Sequence, residues 1–324
     1  MLDGMSIGHW TDTKARTGCT VVLFPEGTVA SGEVRGGAPG TREWDLLAPE
    51  RRVARLDAFV MSGGSAYGLA ACDGVMRWCA EQGRGFAVLN DVVPIVVGAV
   101  LFDLGVGNGK VRPDADAGYA ACVAARGGAR RIRLGRVGAG TGATVNKWRG
   151  AGHVQPGGLG MAEIRSGSVV VGALIAVNAW GEITHDDGHL PAEEAASILD
   201  STGFGKAKTP GETPSEIIAN TTIGLVYTNA PLDKVGCLLV AQGAHDGLAR
   251  ALWPVHTTVD GDAIVAASVG QPTATRADLG GVPIDLVRML AVEATARAIR
   301  SVRSVGPAAR ASVTGPPPKP TRRR

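Results

Sequence analysis

Asn220 and Thr221 stand where a polar stretch gives way to an apolar run, in EIIANTTIGLVYTNAPLDK (216–234). A hydroxyl at the first position of a buried strand suits self-cleavage. Its Oγ attacks the preceding carbonyl, the acyl group moves from nitrogen to oxygen, and water splits the ester to free a new amino terminus. A terminal threonine then carries nucleophile and base together, because an α-amine with a pKa of about 7.7–8.0 accepts the proton near neutrality. The same pair also suits an ordinary strand start, and the local sequence leaves both readings open. Asp260 and Asp262, in VDGD, pose a similar choice. Alternate residues of a strand share a face, so two carboxylates can point to one place, split their pKa values and hold one proton between them. Asp-Gly-Asp equally suits a hairpin turn.

Other motifs carry less. Gly138-x-Gly140-x-x-Ala143 follows an expected strand and fits the loose dinucleotide fingerprint, yet Thr144, Val145 and Trp148 soon give way to glycine-rich sequence and open no helix. GVGNGK (105–110) is one residue short of a phosphate loop, and Val111 stands where Ser or Thr would bind magnesium. Ser65, in MSGGSAYG, has a strand-turn-helix setting, but Tyr67 replaces the second glycine of a nucleophile elbow. A cap or a lining residue is expected there. His185 and His189 are four apart beside Asp186 and Asp187, while Gly188 and Pro191 disfavour the helix that a metal pair would need. His245 and His256 read as structural, hydrogen-bonding histidines.

Groups like these need a packed framework. With 45 % apolar and 19 % charged residues the chain is globular rather than disordered. Its 47 glycines among 324 residues are about twice the usual share, with no collagen period, which implies many short elements and tight turns. Aromatics are only 4 %, so Ala, Val, Leu and Ile must fill the core. The net charge of +3 is matched by the terminal Arg322, Arg323 and Arg324, leaving a near-neutral body that disfavours a nucleic-acid partner. Five cysteines without a C-x-x-C pair disfavour a disulfide framework or a zinc site and suggest a reducing compartment. No apolar run of about 18 residues appears, and MLDGMSIGHW lacks the pattern of a signal peptide. The expectation is a cytoplasmic protein with no membrane partner.

Period and turn signals place the elements. Two strands flank a turn at Pro25-Glu26-Gly27 within 18–34, and a buried strand covers 57–61. A glycine turn then leads into a helix with Leu69, Cys72, Val75, Met76 and Cys79 on one face. Further strands are expected at 94–101, 132–138, 159–166, 168–178 and 221–228, the run 168–178 being buried on both faces. Helices are expected at 114–126, at 232–252 with Leu232, Val235, Leu239 and Leu248 inward, and at 284–304 with Met289, Val292, Ala296 and Ile299 inward. Residues 184–215 read as a polar loop with a short helix at 191–200, and 307–324 as a disordered Pro/Arg tail.

Between about residues 5 and 304 the chain resembles the DmpA-type self-processing aminopeptidases, which include L-aminopeptidase/D-esterases, β-peptidyl aminopeptidases and nylon-oligomer hydrolases. The resemblance lies in IGHWTD (7–12), TGCTVVL (17–23), VRGGAPGTRE (34–43), VMSGGSAYGLAACDGV (60–75), VGAGTGATVNKW (137–148), GALIAVNAWGE (172–182), NTTIGLVYTNAPL (220–232) and AHDGLARALWPVHTTVDGDAIVAAS (244–268). It implies an α+β fold, a four-layer αββα sandwich resembling the N-terminal-nucleophile hydrolases. It also implies one catalytic domain, 1–306, cut into an α-chain 1–220 and a β-chain 221–324. By the same resemblance Asn220–Thr221 is the cleavage junction and Thr221 the nucleophile, Thr222 facing the other side of the strand. Asp260 and Asp262 match the pair that orients the nucleophile, as in the Thr/Asp/Asp subgroup containing nylon-oligomer hydrolases. Asn178 matches the oxyanion-hole asparagine. Lys147 matches a pocket position, Lys in some relatives and Tyr in others, that serves the oxyanion or the substrate. A small peptide or aminoacyl amide substrate, no cofactor or metal, and a homo-oligomer of four or more chains are implied. A non-catalytic small-molecule-binding protein on the same scaffold and a nucleotide-dependent oxidoreductase using Gly138-x-Gly140 are the alternatives.

Overall fold

A computed structural model describes residues 1–126, 132–185, 191–202, 220–270 and 281–302. The first five-stranded sheet holds β1 (Ser6–Asp12), β2 (Thr17–Leu23), β4 (Thr41–Arg42), β5 (Ala58–Ser62) and β8 (Val96–Val100), in the order β1-β2-β5-β8-β4. The second holds β3 (Val29–Val34), β11 (Gly158–Ser166), β12 (Val169–Asn178), β14 (Thr221–Thr228) and β16 (Ala263–Ser268), in the order β11-β12-β14-β16-β3. Three two-stranded ribbons pair β6 (Phe86–Val88) with β7 (Asp91–Val93), β9 (Thr144–Val145) with β10 (Gln155–Pro156), and β13 (Glu182–Ile183) with β15 (Leu252–Trp253). The helices are α1 (Ala71–Glu81), α2 (Ala115–Arg126), α3 (Ala192–Thr202), α4 (Lys234–Ala251) and α5 (Ile284–Ser301).

Strand alternation explains the layering. In β2, Cys19, Val21 and Leu23 pack on α1 and α2, while Val22 joins Phe59, Met61 and Val97 against the second sheet. In β14, Ile223, Leu225 and Tyr227 face the first sheet, and Val226 faces α4 and α5. The result is the expected αββα sandwich, its cores filled mostly by Ala, Val, Leu and Ile. All ten residues of β12 and all eight of β14 are buried, as a strand covered on both faces requires. One polar anchor crosses this framework. The buried Lys234 ammonium donates to the carbonyls of Leu46, Arg51 and Val53 at 2.8, 3.1 and 3.1 Å, tying the 46–53 loop to the start of α4.

Some elements depart from the sequence reading. The two strands within 18–34 lie in different sheets, so the Pro25 turn is a crossing between layers rather than a hairpin. Residues 132–138 form one bridge, Gly135 to Leu159, instead of a strand, because Gly135 and Gly138 take φ of 83° and 53° and turn the chain. On α4 the buried stripe is Cys237, Val240, Ala241, Ala244 and Leu248, with Val235 outside; on α5 Met289 is likewise exposed. The short helix expected at 191–200 is α3. The tail 307–324 lies outside the described residues, as does His189. No described helix is long and apolar enough to cross a membrane.

Candidate active site

The register of the second sheet builds the site. β12 and β14 pair antiparallel with Asn178 opposite Thr221. Directly opposed residues bring their Cβ atoms within about 5 Å. Both side chains fall on the face turned toward the first sheet, in phase with Leu174 and Ala176 on β12 and with Ile223 and Leu225 on β14. Thr222 is out of phase with that set.

The Asn220–Thr221 peptide lies inside the molecule, both residues being less than 5 % exposed. Asn220 forms a parallel bridge to Asp260, and its N–H reaches Val259 O at 3.2 Å. Two donors meet the Asn220 carbonyl oxygen. One is the Gly261 N–H at 2.9 Å. The other is the Thr221 hydroxyl itself. Gly261 is required there, since a Cβ would come within 2.6 Å of Ala38 O and 2.8 Å of Thr221 Oγ1. The strap Arg35–Ala38 covers this turn, with Arg35 N on Asp262 O at 2.9 Å and Ala38 N on Asp260 O at 2.8 Å.

Asp260 and Asp262 are both buried just ahead of β16, each held by its own donors. Asp260 Oδ1 accepts from Trp180 N at 3.2 Å, and Oδ2 from Thr257 Oγ1 at 2.6 Å and Thr257 N at 3.2 Å. Asp262 Oδ1 accepts from Thr222 N at 2.7 Å, and Oδ2 from His256 Nδ1 at 2.9 Å and His256 N at 3.2 Å. Burial, and then the Asp262 charge, push the Asp260 carboxyl up to about 6. One of the two acids is thus the readier to hold a proton.

Lys147 completes the group. Its backbone N–H donates to Trp180 O at 2.9 Å, so Trp180 anchors Lys147 and Asp260 together. The Lys147 ammonium donates to Asn178 O at 3.0 Å and Asn178 Oδ1 at 3.1 Å. Burial pulls it down to about 7 and outweighs the attraction of Asp260 and Asp262. Thr144 N also donates to Asn178 Oδ1, at 2.9 Å, which fixes that atom as the oxygen. One N–H of Asn178 Nδ2 goes to Phe102 O at 3.0 Å, and an amide carries a second.

The structure therefore gathers Asn220, Thr221, Asn178, Lys147, Asp260 and Asp262 around one strand end. The Gly138–Gly140 segment is a buried turn, with Gly138 N on Thr11 Oγ1 and Ala139 N on Thr20 Oγ1, and it leads directly to Thr144 and Lys147. Ser65, at φ 54°, opens a two-turn 3-10 helix (Ser65–Ala70) that leads into α1, and belongs to a different segment. Among the described residues no group of three His, Cys, Asp or Glu side chains is disposed to hold a metal ion, and the five cysteines are buried thiols. Sequence reasoning missed Gly261, Trp180 and Thr257, and placed His256 outside the site. Gly261 and Trp180 act through backbone N–H groups, which leave no side-chain signature, and the left-handed turn that aims His256 at Asp262 has none either.

Comparison with known proteins gives the chain's family and its fold relatives. The chain is 43 % identical over 297 residues to an uncharacterized aminopeptidase of Mycobacterium leprae, covering 85 % of this chain and 79 % of that protein. It is 30 % identical over 304 residues to a 6-aminohexanoate-oligomer endohydrolase of Paenarthrobacter ureafaciens, covering 90 % and 79 %. In fold it is similar to the L-aminopeptidase D-Ala-esterase/amidase of Ochrobactrum anthropi, described as a variant of the Ntn hydrolase fold. The TM-score is 0.65 at 17 % identity, over 93 % of this chain and 84 % of that one. A β-aminopeptidase of Burkholderia gives 0.65 at 22 %, with the same coverage. The model of peptidase family S58 matches residues 2–313, and the chain belongs to that family of hydrolases.

Proposed function

We propose that this chain is an autoproteolytically activated N-terminal-threonine hydrolase that cleaves amide bonds of small peptides or aminoacyl amides. The observation that carries the reading is the seat of the Asn220 carbonyl: its oxygen accepts from Gly261 N–H while the Thr221 hydroxyl rests against it. In self-processing, Thr221 Oγ1 bonds to the Asn220 carbonyl carbon and its proton leaves to a nearby base. Negative charge grows on the carbonyl oxygen, where Gly261 N–H already points. The C–N bond breaks, the Thr221 nitrogen takes up a proton, and the chain is joined by an ester. Water then splits the ester into an Asn220 carboxylate and a free Thr221 with hydroxyl and α-amine.

In substrate hydrolysis the α-amine accepts the hydroxyl proton as Oγ1 attacks the substrate carbonyl. The tetrahedral oxyanion is met by the remaining Asn178 amide N–H and the Lys147 ammonium. The departing amine takes the proton, and water releases the acyl group. The names of the relatives, an aminopeptidase and an aminohexanoate-oligomer hydrolase, support a substrate with an amine-bearing acyl group. We extend the reading to one catalytic domain, 1–306, working as a cytoplasmic homo-oligomer.

Mass spectrometry and Edman sequencing of purified protein test it. Fragments 1–220 and 221–324 and a new terminus at Thr221 are expected, with Thr221→Ala intact and folded. A wild-type chain that stays whole on long incubation would falsify the processing claim. Processed protein that hydrolyses no L-, D- or β-aminoacyl amide points instead to the binding-protein reading.

A further inference from the structure

His256 sits in a conformation that needs an explanation. Its φ is 54°, in the left-handed region that few residues other than Gly enter, His, Asn and Asp being the enriched exceptions. A turn that only needed that backbone shape would be better served by glycine or asparagine. The bend aims two donors of one residue, the backbone N–H and Nδ1, at one oxygen of Asp262, at 3.2 and 2.9 Å.

The ring is held from behind. It stands edge-on to His245, centroids 4.9 Å apart at 66°, and its Nε2 lies 3.4 Å from His245 O. His245 is fully buried on α4, and burial pulls it down to about 4, so it is neutral. Its Nε2 lies 3.0 Å from Glu33 O on β3, a group that only accepts, so that nitrogen carries the proton. A chain of contacts therefore runs from β3 through α4 to His256 and Asp262. It continues through Asp262 Oδ1 to Thr222 N, the residue after the nucleophile.

Resting on the processing reading above, we propose that His256 is a positioning residue of this site, holding the Asp262 carboxylate in register with the start of β14. It acts through Asp262 and not on the substrate. The Nδ1 donor supplies the alignment, and the left-handed backbone is the means of aiming it.

Three variants of the full chain separate this role from its rivals: His256→Asn, His256→Gly and His256→Ala. Asparagine tolerates the backbone and places an amide N–H where Nδ1 was. Glycine fits the backbone but offers no side-chain donor. The readouts are the rate of appearance of fragment 221–324, kcat and KM of the processed enzyme on an aminoacyl amide, and a thermal melt. His256→Asn is expected to process within about threefold of wild type. His256→Gly and His256→Ala are expected to process about tenfold to a hundredfold more slowly, the range for losing a hydrogen bond to a charged group. For both, kcat should fall and KM should hold. Should alanine prevent folding, the Asn and Gly pair still decides. Glycine as fast as wild type reduces His256 to a backbone turn and overturns the proposal. Asparagine as slow as glycine overturns it in favour of the imidazole itself. A wild-type chain that never cleaves overturns the processing reading and this inference together.

Discussion

Lys147→Met gives the most direct measure of the electrostatics at the strand end. In the fold the amine sits at about 7, against about 10.4 in an unfolded chain. For a base lowered by folding, the penalty is greatest below the folded value and fades as pH climbs toward the unfolded one. Linkage puts that penalty at roughly 4 kcal/mol at pH 7 and roughly 2 kcal/mol at pH 9. Methionine carries no proton and escapes it. The substitution also removes the donor to Asn178 O and Oδ1, leaving Thr144 N on the latter. That loss is an offset that does not follow pH. The diagnostic is therefore the change in the mutant-minus-wild-type stability, which should fall by about 2 kcal/mol between pH 7 and pH 9. Buried thiols such as Cys79 and Cys122, which burial pushes upward, pull the other way above pH 8. They are common to both chains and cancel. Urea unfolding in a Thr221→Ala background keeps the measurement on one polypeptide. A difference that stays constant from pH 7 to pH 9 would mean that Lys147 is charged throughout, neutralised by Asp260 and Asp262, and the burial reasoning would be wrong.

The remaining expectations concern the turn, the acids and the anchor. Gly36→Ala places a Cβ 2.3 Å from Asp260 O and Asp262 N. It should cost about 1–3 kcal/mol by denaturant titration and slow self-processing, and wild-type behaviour in both would discount the strap. Self-processing followed on gels from pH 5 to pH 8 should slow as pH falls through about 6, where Asp260 gains its proton. A flat profile would remove the ionised carboxylate from the chemistry. Lys234→Met withdraws the donors from Leu46, Arg51 and Val53. A loss of about 2–3 kcal/mol is expected, with faster amide exchange confined to 46–53.

The site residues are legible through the family resemblance, since local sequence alone leaves Thr221 between a nucleophile and a strand start. Thr221 and the bond it would cut are neighbours, and strand alternation alone separates Thr221 from Thr222. The helices α4 and α5 were found by period, but their inward faces were misjudged at Val235 and Met289, because small residues such as Ala241, Ala244 and Ala291 carry the contacts. The pairing of Asn178 with Thr221 was invisible locally, since register is a property of two distant segments. So was the passage of the chain from the first sheet to the second between β2 and β3: alternation tells which residues are buried but not beneath which layer. The site's backbone donors, Gly261 and Trp180, belong to positions whose residue type says nothing of where an N–H will point.

The order of the second sheet has a consequence for what happens after a cut. Its strands run β11-β12-β14-β16-β3. Division at Asn220–Thr221 assigns β11, β12 and β3 to one polypeptide and β14 and β16 to the other. The smaller piece would thus supply the middle of the sheet, clasped by the larger on both sides, and Ile223, Leu225 and Val265 would remain in a core shared with Val22, Phe59 and Leu174. Nothing would fall apart, yet the reaction order of folding would change. A chain that folds alone as a unimolecular event would become a pair whose reassembly depends on concentration. Maturation would then be a one-way passage, and for a single protomer the melting point of the cut pair, unlike that of its one-chain precursor, would move with dilution.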